Sequence, residues 1–395
     1  MWCLDAPIQP YAWGSRSSLA MLQGRPAPTD QPEAELWMGA HPRAPSRLRD
    51  GRGTSLLEAI EARPEAMLGP AVCRRFGARL PFLLKVLAAA EPLSLQAHPD
   101  ATRARAGWER EEAAGIDRDA PDRNYRDPWP KPELVCALGP FSALCGFAPV
   151  ERSRAWIERL AVPTLRELAE PLWSEPVGDG LAATVRALLT MPEPAAVVDA
   201  VVEACRREHE REAGLTWPMR LGESYPGDPG VLVALLLRQV ELRAGEALFL
   251  GPGRLHCYLQ GTAVEIMGSS DNVLRGGLTR KHVDVPELLS VLHRGTEAVE
   301  VVRPRAVSAT EGVYDTPTPE FSLSSLELPA AGRSSIAITG PELLLCVEGE
   351  ARVHGEGEPL ILRSGHAVFV PGSAASYELR AAAGARVFRA TVGER

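Results

Sequence analysis

One pattern occurs twice in this chain: a glycine, a short apolar run and then a Pro-Gly pair. It runs from Gly245 to Gly253 as GEALFLGPG and from Gly365 to Gly372 as GHAVFVPG. A short apolar run bounded by glycine and proline is typical of a buried β-strand, because a helix needs a longer uninterrupted segment. The repetition predicts that two parts of the chain form the same kind of small β-barrel.

The rest of the chain alternates between strand-like and helix-like segments. Leu80 to His98 reads LPFLLKVLAAAEPLSLQAH, two apolar runs broken by Glu91-Pro92, which predicts buried strands. Between about Glu151 and Glu212 apolar residues recur at helical spacing instead. After a loop rich in proline and glycine, VLVALLLRQVEL and EALFL indicate a return to strands.

These segments predict three units. Residues 1–150 and 231–300 are expected to form one discontinuous barrel that carries the active site, 151–230 a helical insert, and 301–395 a second barrel. At 395 residues the chain exceeds the size at which a single hydrophobic core usually stops growing, which agrees with several units.

The repeated pattern is similar to the second sequence motif of cupins, small antiparallel β-barrels that carry a metal at their mouth. His256 follows the first copy, where a cupin has a ligand, whereas Ser373-Ala374-Ala375 follows the second and offers none. The resemblance implies a mainly β fold of cupin-type antiparallel barrels (jelly rolls) with an inserted α-helical domain. The C-terminal barrel is expected to be metal-free.

Candidate metal ligands lie at separate places in the chain. Gln96 and His98 stand two residues apart, so on an extended strand they project from the same face, and Pro99 favours that extended backbone. Glu133 and His256 complete a possible set of two imidazoles, a carboxylate and an amide oxygen, which suits Zn²⁺. Local spacing does not bring Gln96 and His256 together.

Five segments, in order, resemble the signature stretches of type I mannose-6-phosphate isomerases. The resemblance implies an aldose-ketose isomerase that interconverts D-mannose 6-phosphate and D-fructose 6-phosphate through a metal-stabilised enediol-type intermediate. It also implies one Zn²⁺ per chain, held by Gln96, His98, Glu133 and His256. The segments are PYAWGS (10–15), ELWMGAHP (35–42), PFLLKVLAAAEPLSLQAHPD (81–100), KPELVCAL (131–138) and SDNVLRGGLTRKHVDVPELL (270–289).

A sugar phosphate requires cationic and hydroxyl partners, and the resemblance places Lys85, Ser94, Lys281 and Arg275 at the pocket. Lys85 lies within an apolar run, where an ammonium would be buried at a cost unless it met an anion. We therefore expect Lys85 to be functional and to contact the phosphate.

Isomerisation also requires a group that moves a proton between C1 and C2. Glu265 or Lys131 is expected to transfer the proton, and the sequence does not decide between them. Arg275 is expected to stabilise the developing negative charge, and Asp271 with Tyr258 to act in substrate binding or ring opening.

The sequence departs from the family at one informative position. Many members have His before the Lys-Pro-Glu triplet, whereas this chain reads Trp129-Pro130-Lys131-Pro132-Glu133. Any mechanism that requires that histidine would need another residue here.

The formal net charge of −8 provides no overall basic field for nucleic acid or an anionic membrane. We expect a cytoplasmic protein, a monomer or weak homodimer, whose partner is the phosphorylated hexose, with a role in mannose metabolism or GDP-mannose synthesis. Two alternatives were weighed. An Fe²⁺ cupin oxygenase usually has His where Gln96 stands, and a non-catalytic sugar-binding cupin would not need the ligand set.

Overall fold

The structure, a computed structural model, describes residues 1–393 and contains two large antiparallel sheets and one helical segment. The strands are β1 Trp2–Asp5, β2 Ile8–Gln9, β3 Glu35–Met38, β4 Arg47–Leu48, β5 Phe82–Ala89, β6 Gln96–Ala97, β7 Glu133–Ala137, β8 Phe141–Phe147, β9 Leu237–Leu242, β10 Ala247–Leu250, β11 His256–Gly268, β12 Leu274–Arg275, β13 Val301–Val302, β14 Arg305–Ala306, β15 Glu311–Tyr314, β16 Ser322–Leu328, β17 Gly332–Ala337, β18 Glu342–His354, β19 Leu360–Arg363, β20 Ala367–Val370, β21 Ser376–Ala381 and β22 Ala385–Thr391.

Along the chain, the helices lie between strands β2 and β13 of the first sheet. They are α1 Ser18–Leu22, α2 Leu56–Ala62, α3 Pro64–Leu68, α4 Pro70–Phe76, α5 Ala101–Ala113, α6 Val150–Leu160, α7 Pro163–Leu168, α8 Pro171–Ser174, α9 Val177–Thr190, α10 Ala195–Glu208, α11 Thr216–Ser224, α12 Gly230–Ala234 and α13 Val285–Val291, with a 3₁₀ turn at Ala213–Leu215.

The first sheet contains 11 strands, and its main path runs β13-β10-β7-β11-β5-β3-β2. Its longest strand, β11, joins two groups of strands: the end near His256 pairs with β6 and β8, and the end near Gly268 pairs with β5 and β7. The strand changes partners where a bulge between Tyr258 and Gln260 precedes Gly261, whose φ of 127° suits glycine. The bend folds the sheet over on itself.

The second sheet also contains 11 strands and uses the same device. The first part of β18 pairs with β20 and β22, and its last part with β19 and β21. Here too a bulge, between Cys346 and Glu348, precedes a glycine of positive φ, Gly349. Both strands span 13 residues.

The N-terminal strands correct the predicted boundaries. Residues 1–150 were expected to belong to the first unit, but β1 pairs with β20 and β4 pairs with β1, so both lie in the second sheet. Two features explain this arrangement. Leu4 and Leu48 are buried in the second sheet, and β1 covers an edge of β20 that would otherwise be open. Helices α1 to α5 also fall within this range, outside the expected insert.

Helices α6 to α12 lie between β8 and β9 in the chain, where the helical insert was predicted. One detail differs: the run that begins at Val231 was expected to be a strand, but α12 extends to Ala234 and β9 starts only at Leu237. A run that is apolar on every side is buried on every side, and its pattern cannot distinguish helix from strand. Within residues 1–393, no single helix is both long and apolar enough to cross a membrane, and only α9 and α10 together, bent by 115°, meet those criteria.

Shared cores hold the three parts together. Side chains of the helical segment, such as Val185 and Leu221, pack in one cluster with Ala97 and Leu274 of the first sheet. A second cluster joins Val264 of the first sheet to Phe369 of the second. The first sheet therefore packs against both the helical segment and the second sheet.

Candidate metal centre and adjoining cavity

Three residues from distant parts of the chain meet at one end of the first sheet. His98 follows β6, Glu133 begins β7 and His256 begins β11. One ligand atom from each of them lies within 4.8 Å of the others, and all three residues are buried. Strand pairing produces this meeting, because Gln96 of β6 lies opposite His256.

Backbone carbonyls orient both imidazoles. His98 Nδ1 lies 2.8 Å from the Asn272 carbonyl oxygen, and His256 Nδ1 lies 2.9 Å from that of Arg254. A carbonyl can only accept a hydrogen bond, so each Nδ1 carries the proton and each Nε2 presents a lone pair. Both Nε2 atoms lie 3.3 Å from an oxygen of Glu133.

The protonation states suit a cation. Burial lowers the pKa of His98 to about 4, so its ring is neutral at pH 7. Burial alone would raise the pKa of Glu133, but Lys131 leads the influences that hold it well below its usual range. A carboxylate therefore faces the neutral imidazole of His98 and Nε2 of His256.

The unpaired atoms are the test of whether a metal fits. His98 Nε2, His256 Nε2 and Glu133 Oε2 are buried and have no hydrogen-bond partner within residues 1–393. Buried acceptors that face one another without a donor are costly, and a divalent cation would satisfy all three at once. Two imidazole nitrogens and a carboxylate are ligands that Zn²⁺ commonly takes. The residues therefore fit the metal that the sequence predicted.

A cavity of about 380 Å³ adjoins this group. It receives side chains from the first sheet, from the loops beside it and, through Tyr225, from the helical segment. Its lining residues are Tyr11, Trp13, Glu35, Lys85, Leu93, Ser94, Gln96, Lys131, Glu133, Tyr225, Tyr258, Glu265, Val273, Arg275, Leu278, Thr279, Arg280 and Lys281. The structure thus brings Gln96, the fourth predicted ligand, and most of the other predicted site residues to one cavity.

Lys85 meets anions of the protein itself. Its Nζ lies 3.5 Å from Glu35 Oε1 and 3.3 Å from Glu265 Oε2, and all three side chains are buried. Burial alone would lower the pKa of Lys85, but these two carboxylates raise it above its usual value. The ammonium is therefore charged and already paired.

Glu265 is held from two sides. Tyr258 donates a hydrogen bond of 2.8 Å to Oε1, and Lys85 lies beside Oε2. Burial raises the pKa of Glu265, and Lys85 opposes part of that rise. A carboxyl group with a raised pKa in a cavity is suited to exchange a proton near neutral pH.

Lys131, the other predicted proton carrier, lies next to the metal group. Its Nζ is 3.0 Å from Glu133 Oε1, and the side chain is almost fully buried. One of its immediate partners is thus a candidate metal ligand.

Sequence analysis did not identify Glu35. It lies in β3, accepts a hydrogen bond of 2.8 Å from Trp37 Nε1 and pairs with Lys85. The sequence did contain a signal for Glu35, because it is the one charged residue of the apolar strand ELWM. A buried carboxylate there requires a partner.

One part of the cavity wall is cationic. Within residues 1–393, neither Arg275 nor Lys281 has an ion-pair partner. Burial lowers the pKa of Arg275, with a contribution from Arg126, and burial followed by Arg275 lowers that of Lys281. These unneutralised charges, with Ser94 also in the lining, have the chemistry that an anion requires of its partners.

Asp271 lies elsewhere. It was expected to act in substrate binding or ring opening, but it is not among the residues that line this cavity. Its Oδ1 lies 3.6 Å from His41 Nε2 and 3.4 Å from Arg43 Nη1, and it borders a separate cavity with Trp129. The loop after β11 turns its side chain toward His41 and Arg43, which motif spacing could not indicate.

The chain is similar to proteins of known function. Residues 1–150 match the phosphomannose isomerase type I catalytic domain family. The mannose-6-phosphate isomerase of Salmonella typhimurium is 41% identical, covering 92% of this chain and 93% of the relative, and that of Homo sapiens is 32% identical, covering 93% and 92%. A crystal structure of a mannose 6-phosphate isomerase bound with zinc and yttrium superposes with a TM-score of 0.88 at 36% identity, covering 99% of both chains. The chain belongs to the type I mannose-6-phosphate isomerase family.

Proposed function

We propose that this chain is an aldose-ketose isomerase that interconverts D-mannose 6-phosphate and D-fructose 6-phosphate. One observation carries the proposal. A single cavity is lined both by Glu133, a member of the candidate metal group, and by Arg275 and Lys281, two cations without an ion-pair partner among residues 1–393. A phosphorylated sugar has the two features that such a cavity can bind, a dianion and vicinal oxygens.

The cofactor is one Zn²⁺ per chain, held by Gln96, His98, Glu133 and His256. Support comes from the three unpaired buried ligand atoms, from Gln96 opposite His256, and from the zinc named for the related crystal structure. When bound, the metal stabilises negative charge on the sugar oxygens as the C2 or C1 proton leaves.

Arg275 and Lys281 bind the phosphate, with Ser94 as a hydroxyl donor. Lys85 was expected to take part in this clamp, but two carboxylates already surround it. Its part in the reaction is instead to fix Glu265 and to oppose the rise in the pKa of that carboxyl group.

Glu265 moves the proton between C1 and C2. It lines the cavity, its pKa is raised, and Tyr258 and Lys85 fix its two oxygens in place. Lys131 serves less well as the base, because it lies 3.0 Å from Glu133 and so forms part of the metal group's support. No histidine at the position of Pro130 is needed for this assignment.

The architecture proposed with this function is a pair of cupin-type jelly-roll barrels around an inserted helical domain. Residues 1–150 and 231–300 supply the catalytic barrel, apart from β1 and β4, while 151–230 form the insert and 301–395 the metal-free barrel. The protein is proposed to be cytoplasmic, a monomer or weak homodimer, and to serve mannose metabolism and GDP-mannose synthesis.

The test is turnover of mannose 6-phosphate by the purified chain before chelation, after it, and after zinc is restored. We expect activity that chelation removes and zinc recovers. A folded, zinc-loaded protein that binds the sugar phosphate without converting it would overturn the proposal in favour of a sugar-binding protein. Oxygen consumption with Fe²⁺ would instead indicate an oxygenase.

A further inference from the structure

The turn between α11 and α12 connects the helical segment to the cationic wall of the cavity. Asp228, half-buried in this turn, accepts a hydrogen bond of 2.9 Å on Oδ1 from the amide of Leu278. Its Oδ2 accepts another of 2.9 Å from the amide of Thr279. One carboxylate thus fixes two consecutive amides of a loop that lies far along the chain.

The loop needs such support because of its backbone. Leu278 has a φ of 54°, a left-handed conformation that side chains with a Cβ rarely adopt. The preceding Gly277 has a φ of 109° and packs so closely that a Cβ there would lie 2.6 Å from the Cα of Gly230. Turn and loop therefore touch through their backbones, and Asp228 closes the contact by hydrogen bonds.

The supported loop continues directly to Lys281. The amide of Lys281 donates a hydrogen bond of 3.1 Å to Thr279 Oγ1, so the residue that Asp228 holds also sets the backbone at the lysine. Thr279 and Lys281 line the cavity, whereas Asp228 is not among the lining residues. Asp228 therefore contacts the loop from outside the cavity, and its hydrogen bonds reach Lys281 through the backbone of the loop.

We propose that Asp228 is a positioning residue that holds the Gly277–Lys281 loop so that Lys281 faces the phosphate of the substrate. The identity of that substrate rests on the proposed function. By this contact the helical segment contributes to substrate affinity, although Tyr225 is the one residue between α6 and α12 that lines the cavity.

The experiment compares Asp228→Ala and Asp228→Asn with the full-length, zinc-loaded protein. Loss of hydrogen bonds to a charged acceptor is expected to raise KM about tenfold and to weaken competitive inhibition by inorganic phosphate to a similar extent. The value of kcat should stay within about twofold, because Glu265 and its partners lie on other strands. The Asn variant keeps an acceptor oxygen and should lie between wild type and Asp228→Ala.

Asp199→Ala is the matched control, because Asp199 is an exposed residue of α10 in the same helical segment. It should leave all constants unchanged. Zinc content and the melting temperature are measured for each variant, and the Asn variant serves if the Ala variant does not fold. Unchanged KM and unchanged phosphate inhibition in Asp228→Asn and Asp228→Ala, or a loss confined to kcat, would overturn the positioning role.

A second measurement separates this proposal from the proposed function. The rise in melting temperature caused by inorganic phosphate reports anion binding without turnover. A wild-type protein that is stabilised by phosphate but does not isomerise the sugar, together with an Asp228→Ala variant that phosphate does not stabilise, would refute the isomerase and retain the positioning role. Equal stabilisation of both proteins would refute the positioning role whatever the turnover.

Discussion

Each of the two sheets buries a tyrosine-glutamate pair beside a cation, but the pairs have different surroundings. In the first sheet Tyr258 donates to Glu265, which also lies beside Lys85. In the second, Tyr377 donates a hydrogen bond of 2.7 Å to Glu342, and Arg389 Nη2 lies 2.6 Å from the other oxygen of that carboxylate. The first pair lines a cavity, whereas Glu342 is fully buried in the protein.

Further protein groups pair with the second network, although Arg389 Nε has no hydrogen-bond partner within residues 1–393. Arg389 also contacts Glu311 at 3.0 Å, and Ser324 donates a hydrogen bond of 2.6 Å to the same Glu311 oxygen. The first sheet leaves His98 Nε2, His256 Nε2 and Glu133 Oε2 without partners. In each sheet one long strand changes its pairing partners at a bulge. The difference shows that two sheets of this kind can use buried charges either to bind a ligand or to stabilise the fold.

The largest effect is expected for Glu133→Gln. Because it removes the one carboxylate of the unpaired ligand group, activity should fall by roughly a thousandfold and zinc content should drop, while the fold persists. The measurements are kcat/KM, bound zinc and circular dichroism. Full zinc occupancy with normal turnover would show that the two sheets do not differ as argued.

Arg389→Met should destabilise the protein without affecting catalysis. It leaves Glu342 buried without its cation, which typically costs about 3 kcal/mol of unfolding free energy. Urea unfolding measures that cost, and kcat/KM below the unfolding transition should equal that of wild type. A variant that loses turnover but not stability would reverse the assignment of the second sheet.

The two tyrosines offer a matched pair of small changes. Tyr258→Phe should lower kcat by about tenfold, because Glu265 loses a partner that holds it in the cavity. Tyr377→Phe should cost about 1 kcal/mol of stability and leave kcat unchanged. If both variants lower kcat, or both lower only stability, the proposed difference between the two tyrosine-glutamate pairs is wrong.

The smallest expected effect is a shift in the pH dependence of kcat/KM, which tests whether Glu265 is the base. Glu265 must be ionised to accept a proton, and its pKa is raised by burial, so activity should decline as pH falls through a range above that of an ordinary glutamate. Lys85 lowers that pKa, so Lys85→Met should move the acid limb to higher pH. A limb that stays in place or moves to lower pH would exclude Glu265 as the titrating base.

Local patterns in the sequence support only short-range predictions. Gln96 and His98 were expected to project from one face of a strand because residues two apart do so, but β6 ends at Ala97 and His98 follows it. Their meeting with His256 depends on the register between β6 and β11, which no local pattern contains. The resemblance to the family supplied that connection.

The missed features have equally specific causes. Lys85 was expected to need an anion, and the substrate phosphate was predicted as that anion. Its actual partner Glu35 lies in another strand, and local sequence patterns do not show which strands are neighbours. Asp271 was placed in the site by its nearness to motif residues, whereas the loop turns its side chain toward His41. The run from Val231 could not be assigned to a helix because apolar residues occupy every face.

The pairing of β1 with β20 has a consequence for synthesis on the ribosome. Trp2 lies opposite Phe369, so this pair can form only after all of the chain between the two residues has been synthesised. Contacts so distant in the chain slow folding, because the intervening chain must be ordered first. The second sheet therefore closes only after β20 has been synthesised, and a protein truncated before β20 would leave β1 without the strand with which it pairs.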